Sequence, residues 1–268
     1  MVKAVFGKVY LVGAGPGDPG LLTLKGKRCL EQAEVVLYDR LVNEEILAFA
    51  SQDAEFICVG KQVGNHSFPQ LWIETVMISR AREGKVVVRL KRGDPFIFGR
   101  GGEEIEALKG AKILFEVVPE VSSAIAMPAY AGIPLTHGDC ASSVAIVTGH
   151  GCCAGQGEVR WADLQRTVDT LVILMGLGNP RENMGRLIKG GCNPERPVAL
   201  IRWGTRASQE TLVGTVETIA TMAEQRNFRP PVVIVVGDVV RFGDRLDWFE
   251  ANMHPGKESS PIHFLSPA

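Results

Sequence analysis

The chain has 268 residues, enough for one large domain or two ordinary α/β domains at roughly 150 residues each, and two is the better fit. Hydrophobic residues make up 46% and charged residues 22%, a globular balance that excludes intrinsic disorder. With 29 Lys and Arg against 30 Asp and Glu the net charge is −1, which excludes a nucleic-acid binder working through an overall basic surface.

In chain order, short β-branched runs predict strands at 8–12, 34–38, 56–59, 85–90 and 114–118. Between the third and fourth lies a helix over 69–82, where Trp72, Val76 and Arg80 share one row and Ile73 and Met77 the next, with Gly84 as its stop. Glycines and a proline in 131–140 interrupt the periodicity and mark a domain boundary, set after residue 134. A second series follows with strands at 144–148, 170–175, 198–202, 209–213 and 232–236. A helix from Val216 keeps Ile219, Ala220 and Ala223 in phase, and Thr215 is its expected N-cap. Alternation of strand and helix predicts parallel sheets flanked by helices, hence an α/β fold with domains 1–134 and 135–250 and a flexible tail over 251–268.

Apolar runs such as 232–236 are strand-sized and far short of the roughly 20 residues of a membrane span. No charged leader precedes an apolar block near the start, so a cytoplasmic protein is expected. Six cysteines, Cys29, Cys58, Cys140, Cys152, Cys153 and Cys192, form no C-x-x-C pair and read as reduced structural thiols. Five histidines, His66, His137, His150, His254 and His263, never share one helical face, so no metal site is expected.

Two glycine-rich loops leave strands and enter helices. The first, Gly13-Ala-Gly15-Pro16-Gly17-Asp18-Pro19-Gly20, is a poor dinucleotide fingerprint: Asp18 stands where the third glycine belongs and directs charge toward a pyrophosphate. The second runs from Arg89 through Arg92-Gly93-Asp94-Pro95 to Arg100-Gly101-Gly102-Glu103-Glu104. Ligands of open α/β sheets bind at such strand ends, glycine admits close backbone approach, and Asp94 can accept hydrogen bonds from hydroxyl or amino groups.

These loops belong to a series of motifs: VGAGPGDPGLLTLKG at 12–26, VLYDRLV at 36–42, VGK at 59–61, GDPFIFGRGGEE at 93–104, AYAGIPLTH at 129–137, VTGH at 147–150, MGL at 175–177 and GT at 204–205. In order and spacing the series resembles the uroporphyrinogen-III C-methyltransferases of the tetrapyrrole methylase family. The resemblance implies two α/β domains of the class III S-adenosylmethionine (SAM) methyltransferase type with the active-site cleft between them. It also implies two methyl transfers from SAM to ring carbons of uroporphyrinogen III. The products are precorrin-2, for siroheme, cobalamin or haem d1, and S-adenosylhomocysteine. Family members are homodimers. Carried over by motif, Pro16, Arg92, Gly93, Asp94, Ile97, Ser122, Ser123, Met175 and Gly204 are the cofactor contacts, and Ser122 and Ser123 also suit helix capping. Asp39 and Lys61 match the proton acceptor and donor, and Arg100 and Glu103 the residues beside the tetrapyrrole. Because the substrate carries eight carboxylates, Arg40, Arg89, Arg100 and Arg202 are candidate partners for it. The chain departs from the family pattern at Arg92, Glu120, Gly138 and Cys140. Those departures leave open a catalytically weakened relative that binds SAM or a tetrapyrrole, or a methylase of a related tetrapyrrole. A nicotinamide dehydrogenase rests on the first glycine loop alone.

Overall fold

A computed structural model describes residues 6–60, 69–149 and 159–249. The chain divides into two compact units, Met1–Ser123 and Ala124–Ala268.

The first unit carries β1 (Lys8–Gly13), α1 (Leu24–Glu31), β2 (Val35–Tyr38), α2 (Glu44–Leu47), β3 (Glu55–Cys58), α3 (Gln70–Arg82), β4 (Val87–Lys91), α4 (Gly101–Gly110) and β5 (Leu114–Val118). Its five strands form a sheet in the order β3-β2-β4-β1-β5, parallel throughout. Strand alternation sorts the side chains between two cores. Val12, Val36, Val88 and Leu90 pack with Leu30 of α1 and Ile46 of α2, whereas Val9, Leu11, Val35, Leu37 and Val87 pack with Ile73 and Met77 of α3 and Leu108 of α4. The predicted rhythm of α3 is realised as a buried row of Ile73, Met77 and Ala81, four residues apart, and Gly84 turns the chain at φ +84° just after it. Because all five strands run one way, the residues that follow them share one edge of the sheet. That geometry gathers the loops after β1, β2, β4 and β5.

The second unit carries α5 (Ser123–Tyr130), which begins on the last residue of the first unit, then β6 (Val144–Thr148), α6 (Trp161–Thr167), β7 (Thr170–Leu174), α7 (Pro180–Lys189), β8 (Pro197–Arg202), β9 (Glu210–Thr215), α8 (Ile219–Gln225), β10 (Val232–Val236) and α9 (Gly243–Leu246). Its sheet has the order β6-β7-β10-β8-β9, in which β6 and β7 pair in parallel and the other three neighbouring pairs are antiparallel. The expectation of a second parallel sheet is therefore corrected. Residues 203–209 between β8 and β9 are too few for the crossover of a dozen or more that parallel neighbours need, so the two strands return on each other.

Two further expectations move. The break between units falls after Ser123, not after residue 134, because Ala124, Met127, Ala131 and Ile133 are buried with Val172, Leu174, Ile201, Val233 and Val235 of the second sheet. Thr215 ends β9 and does not cap α8. Its Oγ1 accepts the N–H of Thr218 at 3.3 Å, and Thr218 stands at the N-cap. The tail over 251–268 lies outside the described residues.

Four cysteines among the described residues, Cys29, Cys58, Cys140 and Cys192, are free. No helix of the described residues is long and apolar enough to cross a membrane.

Met77 is fully buried between α3 and the first sheet, so Met77→Ala should cost about 2–5 kcal/mol of unfolding free energy. Leu71, on the same helix but 72% exposed, should change stability by about 0.5 kcal/mol or less when made alanine. Urea unfolding of the two variants checks the pair.

Candidate active site

Strand β4 supplies the strongest electrostatic feature of the first unit. Arg89 and Lys91 are two residues apart and so lie on one face of the strand, the face covered by α3 and α4. From α4, Glu104 enters the same space fully buried. Its Oε1 accepts from Arg89 Nε at 3.0 Å and its Oε2 from Lys91 Nζ at 2.8 Å. Gln70 of α3 adds a longer contact to Oε1 at 3.4 Å. Arg89 then reaches past the end of β2, where its Nη2 donates to Asp39 Oδ1 at 2.6 Å. Two cations and two anions form one neutral chain, and such pairing permits charges to lie in a protein interior at all.

Asp39 is the outer end of that chain and keeps a third of its side chain exposed. Its N–H donates to Leu90 O, and its Oδ2 accepts the N–H of Arg92 at 3.3 Å. Burial pushes its carboxyl up, but the charges of Arg89 and Lys91 and the hydrogen bonds from Arg89 and Arg92 outweigh that, holding it below the usual carboxylate range. Lys91 is also shifted down, which for a cation favours the neutral form. Burial and the neighbouring Arg89 lower it, against the pull of Glu104 and Asp39.

Arg89 is therefore not a free partner for substrate carboxylates. It is buried, and its Nε and Nη2 engage Glu104 and Asp39. Glu104 and Lys91 were missed by reading the sequence for ligands. Their signal was present: an Arg-x-Lys pair inside an otherwise apolar strand sends two charges to one face, which requires a buried acid opposite.

The loops on this edge are fastened to one another. Gly93 and Gly15 exchange backbone hydrogen bonds, Gly93 N–H to Gly15 O at 2.9 Å and Gly15 N–H to Gly93 O at 3.3 Å. Gly93 sits at φ +65°, a conformation that glycine adopts without strain, whereas Arg92 does not have a positive φ. A Cβ on Gly93 would point toward Ser123 N at 3.7 Å and Ser122 Cα at 4.0 Å, so the missing side chain leaves a small recess against those serines. Pro16 is buried beside Gly15. Asp94 turns both oxygens to backbone, Oδ1 to Phe96 N–H at 2.8 Å and Oδ2 to Glu120 N–H at 3.1 Å. Buried Glu120 extends the lacing. Its Oε2 accepts from Thr23 N–H at 2.6 Å at the start of α1, and its Oε1 from Val121 N–H at 3.0 Å.

Arg100 and Glu103 are exposed at the N-terminal end of α4, and Arg100 has a left-handed backbone at φ 57°. Ile97 is exposed in the same loop, and Phe98 shares the positive φ. Arg40 is exposed next to Asp39. Lys61 lies outside the described residues, as do His66, His150, Cys152 and Cys153. In the second unit, Met175 is half exposed with φ 56° just after β7. Gly204 is buried against α5, where a Cβ would stand 2.5 Å from Met127 Cγ, so packing alone requires a glycine there. Arg202 carries Glu210 at 3.5 Å. Among the described residues no group of three or more His, Cys, Asp or Glu is placed to hold a metal ion.

Residues 8–220 match the family model described as Tetrapyrrole (Corrin/Porphyrin) Methylases. The chain is 47% identical over 247 residues to the uroporphyrinogen-III C-methyltransferase of Bacillus subtilis (strain 168), covering 92% of this chain and 96% of that protein. It is 50% identical over 242 residues to the S-adenosyl-L-methionine-dependent uroporphyrinogen III methyltransferase of Methanosarcina barkeri, covering 90% and 95%. Among solved structures it is similar to the uroporphyrin-III C-methyl transferase from Thermus thermophilus complexed with S-adenyl homocysteine. That match has a TM-score of 0.76 and 40% identity over 88% of this chain and 99% of that one.

The lowered pKa of Asp39 fixes the sign of a pH effect. Its contribution to stability is present above the unfolded-state value of about 3.9 and is lost as pH falls through the lower folded-state value. The stability difference between the natural protein and Asp39→Asn, measured by denaturation at a series of pH values, should thus be largest near neutrality and shrink in acid. Removing the Glu120 carboxylate in Glu120→Ala leaves the Thr23 and Val121 amides without their acceptor and should cost about 1–3 kcal/mol in the same assay.

Proposed function

Because the chain belongs to the tetrapyrrole methylase family, we propose that it methylates two ring carbons of uroporphyrinogen III with SAM, releasing precorrin-2 and S-adenosylhomocysteine. The observation that carries this reading is the pairing, on one sheet edge, of a partly exposed ionised carboxylate, Asp39, with the laced loop around Gly93. Precorrin-2 then serves siroheme, cobalamin or haem d1 synthesis.

The recess at Gly93 suits the methyl donor. Gly93, Ser122 and Ser123 present backbone and hydroxyl groups, and Pro16 and Ile97 supply apolar surface, the mixture a nucleoside needs. Arg92 shapes that loop through its backbone amide and Asp94 through its carboxylate oxygens, and Met175 and Gly204 are assigned to the methyl donor by motif. Arg92 has no positive φ, so its departure from the family pattern brings no backbone strain to the turn.

The sulfonium of SAM supplies a methyl group already joined to a good leaving group. The protein's own tasks are alignment of the ring carbon and management of its proton. Asp39, ionised at neutral pH, is in the correct state to accept that proton and to stabilise the cationic ring that methylation creates. Lys61 is assigned as the proton donor. Arg100 is exposed and suited to bidentate capture of a substrate carboxylate, with Glu103 beside it on α4, and Arg40 is placed for a second carboxylate. The reading includes a homodimer in the cytoplasm, supported by the resemblance to the family. Sedimentation at twice the chain mass is the expected result.

Incubation of the purified protein with uroporphyrinogen III and SAM should give the absorption spectrum of a dimethylated product. A monomethylated product alone, or no turnover with SAM still bound, defeats the proposal in favour of a weakened relative. Asp39→Ala and Arg100→Ala should each lower turnover on the order of a hundredfold or more while changing SAM affinity, by calorimetry, far less. Equal losses in both quantities would show that these residues belong to the SAM site instead.

A further inference from the structure

Four side chains of the first unit form a line: Lys91, Glu104, Arg89 and Asp39. Only the last reaches the edge of the sheet, and the other three are at most 4% exposed. None of the inner three touches solvent enough to meet a substrate, yet each spends its charge on the next. Arg89 cannot be replaced by a simple point charge here. It uses separate nitrogens, Nε for Glu104 and Nη2 for Asp39, and further donates from Nη1 to Leu90 O at 3.2 Å.

We infer that Lys91, Glu104 and Arg89 are positioning residues for the reaction, a buried charge relay that sets both the direction and the negative charge of the Asp39 carboxylate. The inference rests on the reading of Asp39 as proton acceptor and names what controls it. Glu104 competes with Asp39 for Arg89, and Lys91 relieves that competition by occupying the other oxygen of Glu104. The groups facing Asp39 are Arg89 and Lys91 from β4 and the Arg92 amide beyond it. Glu104 of α4 acts through Arg89, neutral Gln70 of α3 touches only Glu104, and Arg40 is the exposed neighbour on its own loop. The downward shift of Asp39 agrees with this balance of charges.

The relay predicts shifts of opposite sign from two changes at the same buried spot. Lys91→Met throws Glu104 wholly onto Arg89, so the Asp39 titration should move up, by about one pH unit. Glu104→Gln frees Arg89 for Asp39 and should move it down, and the charge-balanced pair Lys91→Met with Glu104→Gln should lie between the two. Carbon-detected NMR of the Asp39 carboxyl in the substrate-free protein reads these shifts directly, and the acid limb of the turnover profile should follow them. Arg89→Lys keeps the charge but not the two-pronged contact. It should lower turnover at least tenfold while leaving the Asp39 titration below the usual carboxylate range.

Shifts of the same sign in both single variants, or none in either, would overturn the relay. Should those variants fail to fold, the unaltered protein carries the test: the Arg89 guanidinium resonances should change over the same pH range as the Asp39 carboxyl, and a guanidinium indifferent to that titration overturns the relay as well. Shifts in the NMR titration that the turnover profile ignores would support the relay and discard Asp39 as the proton acceptor.

Discussion

A charge placed in the middle of a sheet cannot be solvated from outside, so the surrounding chain has to supply its neutralising partners. Strand β4 carries two such charges, and answering them settles several other features of the first unit. Helix α4 must bring Glu104 over the strand, which fixes the entry of the chain into that helix and hence the course of the loop from Arg92 to Arg100. The guanidinium of Arg89 then needs a second acceptor, and Asp39 at the end of β2 provides it. Stability and the proposed chemistry meet at this point, because the same carboxylate completes the internal neutralisation and is the proposed proton acceptor.

The second constraint is the lacing of backbone loops by side chains that look, in the sequence, like ligands. Asp94 follows a glycine and Glu120 a proline at the ends of their strands, and both spend their oxygens on backbone amides of these turns. Their effect is to hold the turns after β1, β4 and β5 in one arrangement before any ligand arrives. A site preorganised in this way avoids much of the ordering cost that binding otherwise carries.

Every strand was legible to within about two residues at its ends, because β-branched alternation and the glycines at strand ends are local signals. Pairing direction was not. Strands β8 (PVALIR) and β9 (ETLVGT) carry no residue that marks pairing direction, and the short connection between them is what betrays the reversal. The boundary between units was displaced for a related reason: α5 is apolar in the manner of either core, and its allegiance is decided by packing against Val172 and Val235, far away in sequence. At the candidate site, the motif reading assigned Arg100 and Glu103, and both are exposed. Arg89 was misjudged and Glu104 overlooked, since burial inverts the meaning of a charged residue and burial is a property of the folded sheet. Glu103 and Glu104 make the contrast plain, as adjacent glutamates of which one faces solvent and the other is sealed.

The strand order of the first sheet also governs how that unit is assembled. Strand β1 is made first, yet both of its neighbours come late: Val9 pairs with the level of Val87 on one side and Phe115 on the other. During synthesis its two edges stay open while β2, α2, β3 and α3 emerge, so the central seam of the sheet closes only when nearly the whole unit has left the ribosome. Non-local parallel pairing of this kind is slow, and an unpaired apolar strand invites association with other chains in the interval. The charged residues of β4 bear on that interval too, because a strand carrying Arg89 and Lys91 without Glu104 is a poor partner for promiscuous stacking and a good one only for the sheet whose covering helix brings the matching acid.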